Sequence, residues 1–427
     1  MALPAAPSPG TAPAPGRRRA PPLLLFGAFD RHNFGDLLLP HVATALLPGW
    51  RTLPTGLARR DLRAFDGHAV RPLAERLAAP GAVRPPLLHV GGELLGCSAW
   101  EAAAMLQPPE DAPPLLAHFT GAGADAAARA AWVRRQLAGV TPPGAEPPEL
   151  PYLVAPQPWP GLGPVLHAGL GGSALAQAPA ALRQAAVAAL RGSACLQVRD
   201  EHTARALRAA GLRPQLVPDP AVLVAALFGP RLRWHAARGE VAALRRAFAQ
   251  GHLAVQCSAE FADDATLDAL AAGLARVAQR TGWGLALFRA GAAPWHDDLG
   301  LLQRLARRLP AGRARVFGAL QLWDIAALLA SSRGYCGSSL HGRIVAMACG
   351  LPRWTLRSPA AGPGPDKAGA FAASWDLPDQ PAAVPAGALA DAAEVALAAD
   401  PARLRRHADA LVDAARAGFA AIRRVLG

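Results

Sequence analysis

Lysine is almost absent from this chain of 427 residues: of its 44 basic residues, only Lys367 is a lysine. The formal excess of 13 positive charges is therefore carried by arginines, which are spread along a chain rich in Ala, Pro and Gly. No basic block is interleaved with aromatics, as a nucleic-acid platform would need. The composition thus argues against nucleic-acid binding and favours a general attraction for anions such as phosphorylated substrates.

Cysteine pairs and long apolar runs are also missing. The five cysteines are widely separated and form no C-x-x-C pair, which favours free thiols in a reducing compartment. The apolar run at residues 23–29 ends at Asp30, far short of the roughly 20 residues that span a membrane and too short for a signal peptide. These patterns predict a cytoplasmic protein.

The length suits two domains of about 200 residues each. Residues 1–21 are rich in Ala and Pro and predict a disordered tail. We predict an N-terminal domain over residues 22–228 and a C-terminal domain over 229–386. Two amphipathic helices within residues 387–427 are expected to pack back across both domains.

Short apolar runs alternate with helical segments in both halves. The predicted strands lie at residues 23–29, 87–90, 152–155, 195–198 and 216–217, and then at 253–257, 284–288, 334–336 and 353–356. Residues 156–172 are predicted to form a Pro/Gly-rich loop that carries His167. This alternation predicts an α/β fold of two Rossmann-like, doubly wound domains that face a cleft.

The turn at residues 337–343, Gly-Ser-Ser-Leu-His-Gly-Arg, stands between a predicted strand and a predicted helix. The free N–H groups and the dipole at a helix start attract anions, and the turn adds a titratable His341 and the cation of Arg343. The competing interpretation is helix capping by Ser338 and Ser339.

Residues 27–36, Gly-Ala-Phe-Asp-Arg-His-Asn-Phe-Gly-Asp, form a second loop at the carboxyl end of a predicted strand. Open α/β sheets bind ligands at such ends. Gly27 and Gly35 permit close backbone approach, and Asp36 suits an N-cap or a first-turn carboxylate, with the cap favoured. A third glycine turn, at Gly91 and Gly92, follows the strand at 87–90.

Four stretches together resemble the polysaccharide pyruvyltransferase family. They are residues 27–36, the segment Val198-Arg199-Asp200-Glu201 with Asp219-Pro220, the turn at 337–342, and Pro365-Asp366-Lys367 with the helix after it. Their order and spacing match the family over roughly residues 23–376. The resemblance implies a GT-B-like pair of Rossmann-like domains, with the N-terminal domain on the acceptor side and the C-terminal domain on the donor side. It also implies transfer of a pyruvyl group from phosphoenolpyruvate to hydroxyls of a cell-surface polysaccharide or its precursor, forming a ketal.

Phosphoenolpyruvate carries a carboxylate and a phosphate, so its site needs guanidinium groups, helix N-termini and a proton donor. His is suited to protonate the methylene carbon, and a carboxylate to deprotonate the sugar hydroxyl. No metal or cofactor is required. The predicted catalytic residues are His341 and Asp36; the predicted substrate-binding residues are Gly27, Asn33, Gly35, Gly91, Gly92, Arg199, Ser338, Ser339, Gly342, Arg343 and Lys367.

Several of these roles have structural alternatives. Arg199 can clamp the donor or form a salt bridge to Asp200 or Glu201. The segment 296–298, His-Asp-Asp, resembles a metal cluster, but adjacent residues cannot all face one ion, and its two aspartates predict a helix start. Trp295 and Trp323 can stack on a sugar, although packing in the core is the commoner role of Trp.

Two other functions remain open. A GT-B glycosyltransferase that uses a nucleotide sugar would carry acidic residues after the phosphate-binding turn, and none occurs between Gly342 and residue 365. A catalytically idle relative that acts as a binding protein is the third interpretation, because Ser339 and Glu93 replace an Arg and a Gly of the family. The expected partners are phosphoenolpyruvate and a glycan acceptor, including a lipid-linked one. The Arg-rich helical tail suits either contact with the inner face of the membrane or a solvated basic face.

Overall fold

The computed structural model describes residues 21–78, 84–121, 124–142, 145–157, 159–362, 364 and 366–427. The predicted disordered tail, residues 1–21, lies outside these ranges apart from Pro21. Pro21 directly precedes the first strand, and its carbonyl accepts a hydrogen bond from the N–H of Arg51. Residue 365 of the predicted lysine motif also lies outside the described residues.

Strands and helices alternate along most of the described chain, as the sequence predicts. The strands are β1 (Pro22–Phe26), β2 (Arg51–Gly56), β3 (Arg60–Asp61), β4 (Ala69–Pro72), β5 (Leu87–Val90), β6 (Val165–Leu170), β7 (Cys195–Val198), β8 (Gln215–Leu216), β9 (His252–Gln256), β10 (Gly284–Leu287), β11 (Ala314–Val316), β12 (Gly334–Gly337) and β13 (Arg353–Thr355). The helices of the N-terminal half are α1 (Phe34–Leu46), α2 (Leu73–Leu77), α3 (Ala99–Met105), α4 (Ala112–Thr120), α5 (Ala126–Gln136), α6 (Ala180–Leu190) and α7 (Glu201–Ala209). Those that follow are α8 (Val224–Ala236), α9 (Gly239–Ala247), α10 (Asp264–Thr281), α11 (Leu299–Arg308), α12 (Leu322–Ala330), α13 (Leu340–Ala348), α14 (Lys367–Trp375), α15 (Leu389–Leu397) and α16 (Pro401–Leu426).

The strands form two separate sheets. The first has the order β3-β4-β2-β1-β5-β6-β7-β8 and is parallel except for the short pair β3–β4. The second is parallel throughout and has the order β11-β10-β9-β12-β13. In each sheet the chain adds strands on one side of the first strand and then returns to add the later strands on its other side. The switch lies between β1 and β5 in the first sheet and between β9 and β12 in the second. This is the arrangement of a doubly wound fold. The predicted fold of two Rossmann-like domains is therefore confirmed.

Three local predictions were wrong. Residues 152–155 form no strand but a turn and an extended segment, in which the hydroxyl of Tyr152 is buried against Asp30. The strand at this point of the sheet is β6, within the segment predicted to be a loop, so His167 lies in a fully buried strand. Strands β2 to β4 were missed as well, since their arginines and prolines obscure the alternation typical of strands.

One apolar core is shared by the two sheets. It joins Leu23 and Phe34 of the first domain to Phe288 and Ile344 of the second, together with Phe419 of α16. Separate clusters cover the outer face of each sheet. Because the shared core lies between the domains, it holds the carboxyl ends of both sheets close to one cleft.

The C-terminal helices pack on both domains. Helix α15 lies on α10 and β13, whereas α16 contacts α13 and also β6 and β7 of the first sheet. The side-chain amide of Gln197 donates to the carbonyl of Gly418, which fastens α16 to β7. The boundaries at 228/229 and 386/387 stay predictions.

Candidate functional site

A cavity of about 510 Å³ lies in the cleft between the domains. This is enough for a small anionic donor and part of a sugar. The first domain lines it with Asn33, Ser173, Ala174 and Gln177; the second lines it chiefly with Gln256, Ser258, Trp295, His296, Asp297, Ser338, Ser339, Ser358, Asp366 and Lys367. Asn33 follows the end of β1, Gln256 ends β9, and Ser338 follows β12 at the point where the strand order reverses. Open α/β sheets bind ligands at such points.

The loop after β1 is bonded directly to the second domain. The N–H of Phe34 donates to the carbonyl of Ala290 over 2.8 Å, and the N–H of Ala292 donates to Nδ1 of His32 over 3.0 Å. On its other side the His32 ring contacts the carbonyl of Leu320 over 2.9 Å. These bonds fix one wall of the cavity against the other.

Lys367 is the single lysine of the chain, and it lies on this cavity. It is the first residue of α14, whose N-cap is Asp366. Its side chain is exposed, and among the described residues no ion pair to it is found. The ammonium is therefore available to an anion in the cavity, and its predicted binding of substrate stays a prediction.

Asn33 is the single asparagine of the chain and lies on the same cavity. Its Oδ1 caps α1 by accepting hydrogen bonds from the N–H groups of Gly35 and Asp36. Since the oxygen is used by the cap, the amide nitrogen is the atom that remains for a ligand. Sequence reasoning used the rarity of the lysine but not that of the asparagine, although both residues converge on one cavity.

The turn at Ser338 and Ser339 is built mainly around a glutamine. Oε1 of Gln256 accepts from the N–H of Ser338 at 3.0 Å and from the N–H of Ser339 at 2.7 Å. Ser339 is the N-cap of α13, since its Oγ accepts from the N–H of Gly342. The capping interpretation is therefore correct for Ser339, although both serines still line the cavity.

The sequence assigned Asp297 and Asp298 to a helix start, which is confirmed for Asp298 and wrong for Asp297. The N-cap of α11 is Asp298, whereas Asp297 accepts hydrogen bonds from Nε2 of Gln256 at 2.7 Å and from the N–H of Ala290 at 2.5 Å. Burial raises its pKa to about 7, against the lowering effect of these hydrogen bonds and of Lys367. A carboxyl group with a pKa near neutrality in a cleft is a candidate general acid or base.

His296 lies beside Asp297 on the same wall. Its Nε2 is buried and has no hydrogen-bond partner among the described residues. Burial, followed by the positive charges of Arg31 and Lys367, holds the pKa of His296 well below its ordinary value. The imidazole is therefore neutral near pH 7 and lies in a positive field that favours a bound anion. Arg31 and His296 were not among the predicted site residues.

His341 lies in the first turn of α13, behind Ser339, and is not part of the cavity lining. Its ring packs directly against Gly35, where a Cβ atom would lie only 2.0 Å from Cγ of the imidazole. Its Nε2 is 3.7 Å from Oδ2 of Asp219, a carboxylate that is fully buried. The catalytic role predicted for His341 stays a prediction.

Arg199 is fully buried and holds two carboxylates. Its guanidinium donates to Glu93 at 2.5 Å and to Asp219 at 3.0 Å, so neither Asp200 nor Glu201 is the partner. Burial would raise the pKa of Asp219, but the nearby His341 and Arg199 lower it to about 2. Arg199 is therefore in salt bridges, but the predicted partners Asp200 and Glu201 were wrong, and its predicted role in substrate binding stays a prediction.

Arg343 does not lie on the cavity, which corrects its predicted substrate-binding role. The side chain is fully buried and forms an ion pair with Asp376 at 2.6 Å. Its remaining donors reach the hydroxyl of Thr355 and the carbonyls of Gln380 and Pro381. Asp376 also pairs with Arg353, so the three side chains form one internal cluster.

The predicted substrate-binding glycines serve mainly the packing of the chain. A Cβ at Gly27 would meet the Phe29 ring at 2.8 Å, and one at Gly342 would meet the Tyr335 ring at 2.6 Å. Gly91 and Gly92 adopt φ values of 73° and 92°, which other residues rarely adopt. The tight packing at Gly27, Gly35 and Gly342 leaves no room for a side chain, and their predicted contact with substrate stays a prediction.

Asp36, the second predicted catalytic residue, is buried in the first turn of α1 and is not the N-cap. A Cβ at Gly92 would lie 3.9 Å from its Oδ1, so its carboxylate faces the turn after β5. The predicted preference for a capping role was therefore wrong, and its catalytic role stays a prediction.

The fold and the cavity define a two-domain α/β protein whose cleft favours anions. Residues 178–357 match the family model described as polysaccharide pyruvyl transferase. The resemblance inferred from the sequence is confirmed over this segment, which contains Arg199, Asp219 and the turn at 337–342.

Solved structures of similar architecture come from several organisms. UDP-GlcNAc 2-epimerase from Methanocaldococcus jannaschii is 12% identical, with 92% of this chain and 99% of that chain covered at a TM-score of 0.47. UDP-N-acetylglucosamine 2-epimerase from Rickettsia bellii is 12% identical, with 95% of each chain covered at a TM-score of 0.46. The N-terminal domain of Candida albicans trehalose-6-phosphate phosphatase is 10% identical, with 95% and 98% covered at a TM-score of 0.49. Similarities at this level of sequence identity and TM-score carry no information about the activity of this chain.

No curated protein matches the sequence. Among the described residues, no helix has the length and apolar character needed to cross a membrane.

Proposed function

We propose that the protein transfers a pyruvyl group from phosphoenolpyruvate to hydroxyls of a cell-surface polysaccharide sugar or its precursor and forms a ketal. The observation that carries the proposal is the cavity between the domains, where Lys367 and Asn33 converge beside His296. The family match over residues 178–357 supports the same reaction class. The reaction would take place on the cytoplasmic side, where phosphoenolpyruvate is made.

The charges around the cavity suit the donor. Lys367 carries an exposed ammonium, and the charges of Lys367 and Arg31 both act on His296. Phosphoenolpyruvate brings a phosphate and a carboxylate, to which the ammonium of Lys367 can donate charge-assisted hydrogen bonds, whereas Arg31 is not a lining residue and contributes only its charge. The Nδ2 group of Asn33 and the hydroxyls of Ser338 and Ser339 are further donors on the same wall.

The reaction also needs proton transfer. Addition of a proton to the methylene carbon of the donor makes the central carbon electrophilic. One sugar hydroxyl attacks this carbon and loses its proton, and the C–O bond to phosphate breaks. A second sugar hydroxyl then attacks the same carbon and loses its proton, which completes the ketal, with inorganic phosphate as the leaving group. Asp297, with a pKa of about 7, is suited to accept the hydroxyl proton. His296 is suited to donate to the donor, because an anion bound beside Lys367 would offset the positive field that, together with burial, lowers the pKa of the ring.

The first experiment is a thermal-unfolding titration of the purified protein with phosphoenolpyruvate, with UDP- and GDP-sugars in parallel. A ligand that binds only the folded state adds about 2.7 kcal/mol of stability at a concentration of about 100 times Kd. We expect a rise in Tm with phosphoenolpyruvate. We expect Lys367→Met to weaken this binding by about 10-fold to 100-fold, because one charge-assisted contact is lost.

Arg135→Met is the matched control, since Arg135 is an exposed cation on α5 away from the cavity. It should bind phosphoenolpyruvate as the wild type does. A Tm rise with a nucleotide sugar alone would indicate glycosyl transfer instead. No rise with any ligand would favour an idle relative, and release of phosphate on addition of a glycan acceptor separates a transferase from a binding protein.

A further inference from the structure

Trp295 is a large apolar side chain that remains exposed at the cavity. It is 45% exposed and belongs to the cavity lining, on the loop between β10 and α11. The expected packing of this residue in the core was therefore wrong, whereas Trp323 is buried and packs under Arg231. Among the described residues, Trp295 stacks on no aromatic ring and no guanidinium.

The backbone of Trp295 is strained. Its φ is 63°, in the left-handed region where bulky residues are outliers. Glycine is the residue that adopts this conformation without strain, yet the chain has a tryptophan here. Strained residues of this kind cluster at ligand sites, where the surrounding structure holds them in place.

The neighbouring residues hold the loop in this conformation. The N–H of His296 donates to the carbonyl of Ala293, and the carbonyl of His296 accepts from Ala259 at 2.9 Å. The N–H of Asp297 donates to the carbonyl of Gly291, and its carboxylate accepts from Gln256 and Ala290. The indole is thus presented to the cavity by a loop that is bonded on both sides of it.

The surroundings of the indole combine one apolar face with many polar groups. Asp297, Ser338 and Ser358 line the same cavity and offer hydrogen bonds, and His296 offers a buried Nε2 without a partner. A pyranose has the complementary surface, since its C–H face is apolar and its rim carries hydroxyls. Ligand sites commonly pair apolar contact with a few polar groups in this way.

We infer that Trp295 is the platform on which the acceptor sugar of the proposed pyruvyl transfer stacks, with the hydroxyl rim of the sugar turned toward Asp297. This inference rests on the proposed function and assigns its acceptor subsite. The ligand class is a pyranose unit of a glycan. The strained backbone is retained because a glycine at this position would remove the platform.

The test compares Trp295→Gly with Trp295→Phe, and uses Trp234→Ala as the matched control. Trp234 is also exposed, at 53%, but lies on α8 away from the cavity. The probes are the methyl glycosides of glucose, galactose, mannose and N-acetylglucosamine, observed by saturation-transfer NMR. We expect at least one of these glycosides to bind the wild type and Trp234→Ala equally well. Trp295→Gly should bind the same glycoside at least about tenfold more weakly, and Trp295→Phe should show an intermediate affinity.

Thermal unfolding separates a ligand platform from a structural tryptophan. Because glycine tolerates a φ of 63°, Trp295→Gly should keep or raise the Tm while sugar binding is lost. A clear fall in Tm would show that the indole is part of the packing and would overturn the inference. Equal sugar binding by Trp295→Gly, or no binding of any probe to the wild type, would overturn it as well.

Failure of this inference can be told apart from failure of the proposed function. Trp295→Gly should retain the Tm rise with phosphoenolpyruvate, since the donor is bound through Lys367 rather than through the indole. If Trp295→Gly bound both the sugars and phosphoenolpyruvate as the wild type does, only the stacking role of Trp295 would be rejected. A wild type that binds sugars but not phosphoenolpyruvate would reject the pyruvyl donor and leave the sugar subsite standing.

Discussion

The buried arginines near the cleft and the single lysine differ in whether a carboxylate of the protein neutralises their charge. Arg199, Arg343 and Arg353 are fully buried, and each has a carboxylate partner. Lys367 is exposed to the cavity and has none among the described residues. Buried charges require a partner because water no longer solvates them, so burial separates structural cations from those that can bind a ligand.

Replacement of Arg343 tests this distinction. Arg343→Met removes the ion pair with Asp376 and the hydrogen bonds to Thr355, Gln380 and Pro381. We expect the free energy of unfolding, measured in urea, to fall by about 3 kcal/mol. The Kd of the folded fraction for phosphoenolpyruvate should be unchanged, which is the reverse of the pattern expected for Lys367→Met. Weaker donor binding at wild-type stability would restore the predicted substrate-binding role.

Asp297 should give the unfolding free energy a distinct pH dependence. Burial raises its pKa from 3.8 to about 7 in the folded protein, so between these values the folded state holds a proton that the unfolded state has lost. The stability it contributes is therefore fully present below about pH 4 and is lost as the pH rises through about 7. Asp297→Asn cannot titrate, and its stability should fall less between pH 5 and pH 8.

Urea unfolding of the wild type and of Asp297→Asn at these two pH values measures the difference. Lys367 lies close enough to lower the pKa of Asp297, so this pKa should be higher in Lys367→Met. The unfolding free energy of Lys367→Met should therefore fall more between pH 5 and pH 8 than that of the wild type. Equal slopes in the wild type and in Asp297→Asn would show that this carboxyl does not titrate in the predicted range.

Two helix N-termini meet at the interface of the domains. Helix α1 begins at Phe34 after its cap Asn33, and α13 begins at Leu340 after its cap Ser339. The His341 ring of α13 occupies the space where a side chain at Gly35 of α1 would lie. Since both helix starts are positive ends of dipoles, this contact concentrates positive potential between the domains.

Gly35→Ala tests the close approach of these helices. The added Cβ would lie 2.0 Å from Cγ and 2.4 Å from Cβ of His341, so the helices would have to move apart. We expect the free energy of unfolding to fall by about 1–3 kcal/mol, as overpacking commonly costs. Gly49→Ala is the control, because a Cβ there meets no atom within 4 Å. Equal stability of the two variants would mean that the contact is looser than the structure indicates.

At the scale of the whole molecule, the two domains act as opposite walls of one site. Their shared core includes α1, α12, α13 and α16, and the loop after β1 is bonded to the loop after β10. The carboxyl ends of both sheets consequently face the same cavity. Neither domain alone has the full set of lining residues, since Asn33 and Ser173 come from one and Lys367 and Trp295 from the other.

Much of the architecture could be predicted because it depends on local pattern. The turn at 337–343 between β12 and α13, and the helix that begins at Lys367, lie where the sequence indicates. Strand β6 was missed because His167 and Gly169 are untypical of a strand, and only the pairing of β6 with β5 and β7 buries them. The site was predicted less well, since Trp295, His296 and Asp297 carry no motif.

The sequence by itself determined the alternation of strands and helices, the two-domain α/β class and the presence of one lysine at the start of α14. These depend on residue periodicity, on caps and on composition. Only the tertiary structure decided that Arg199 and Arg343 are internal and that Trp295 is exposed. Contacts such as Arg199 with Glu93, or Arg343 with Asp376, join residues far apart in the chain. Which charges are neutralised therefore depends on packing that no local pattern encodes.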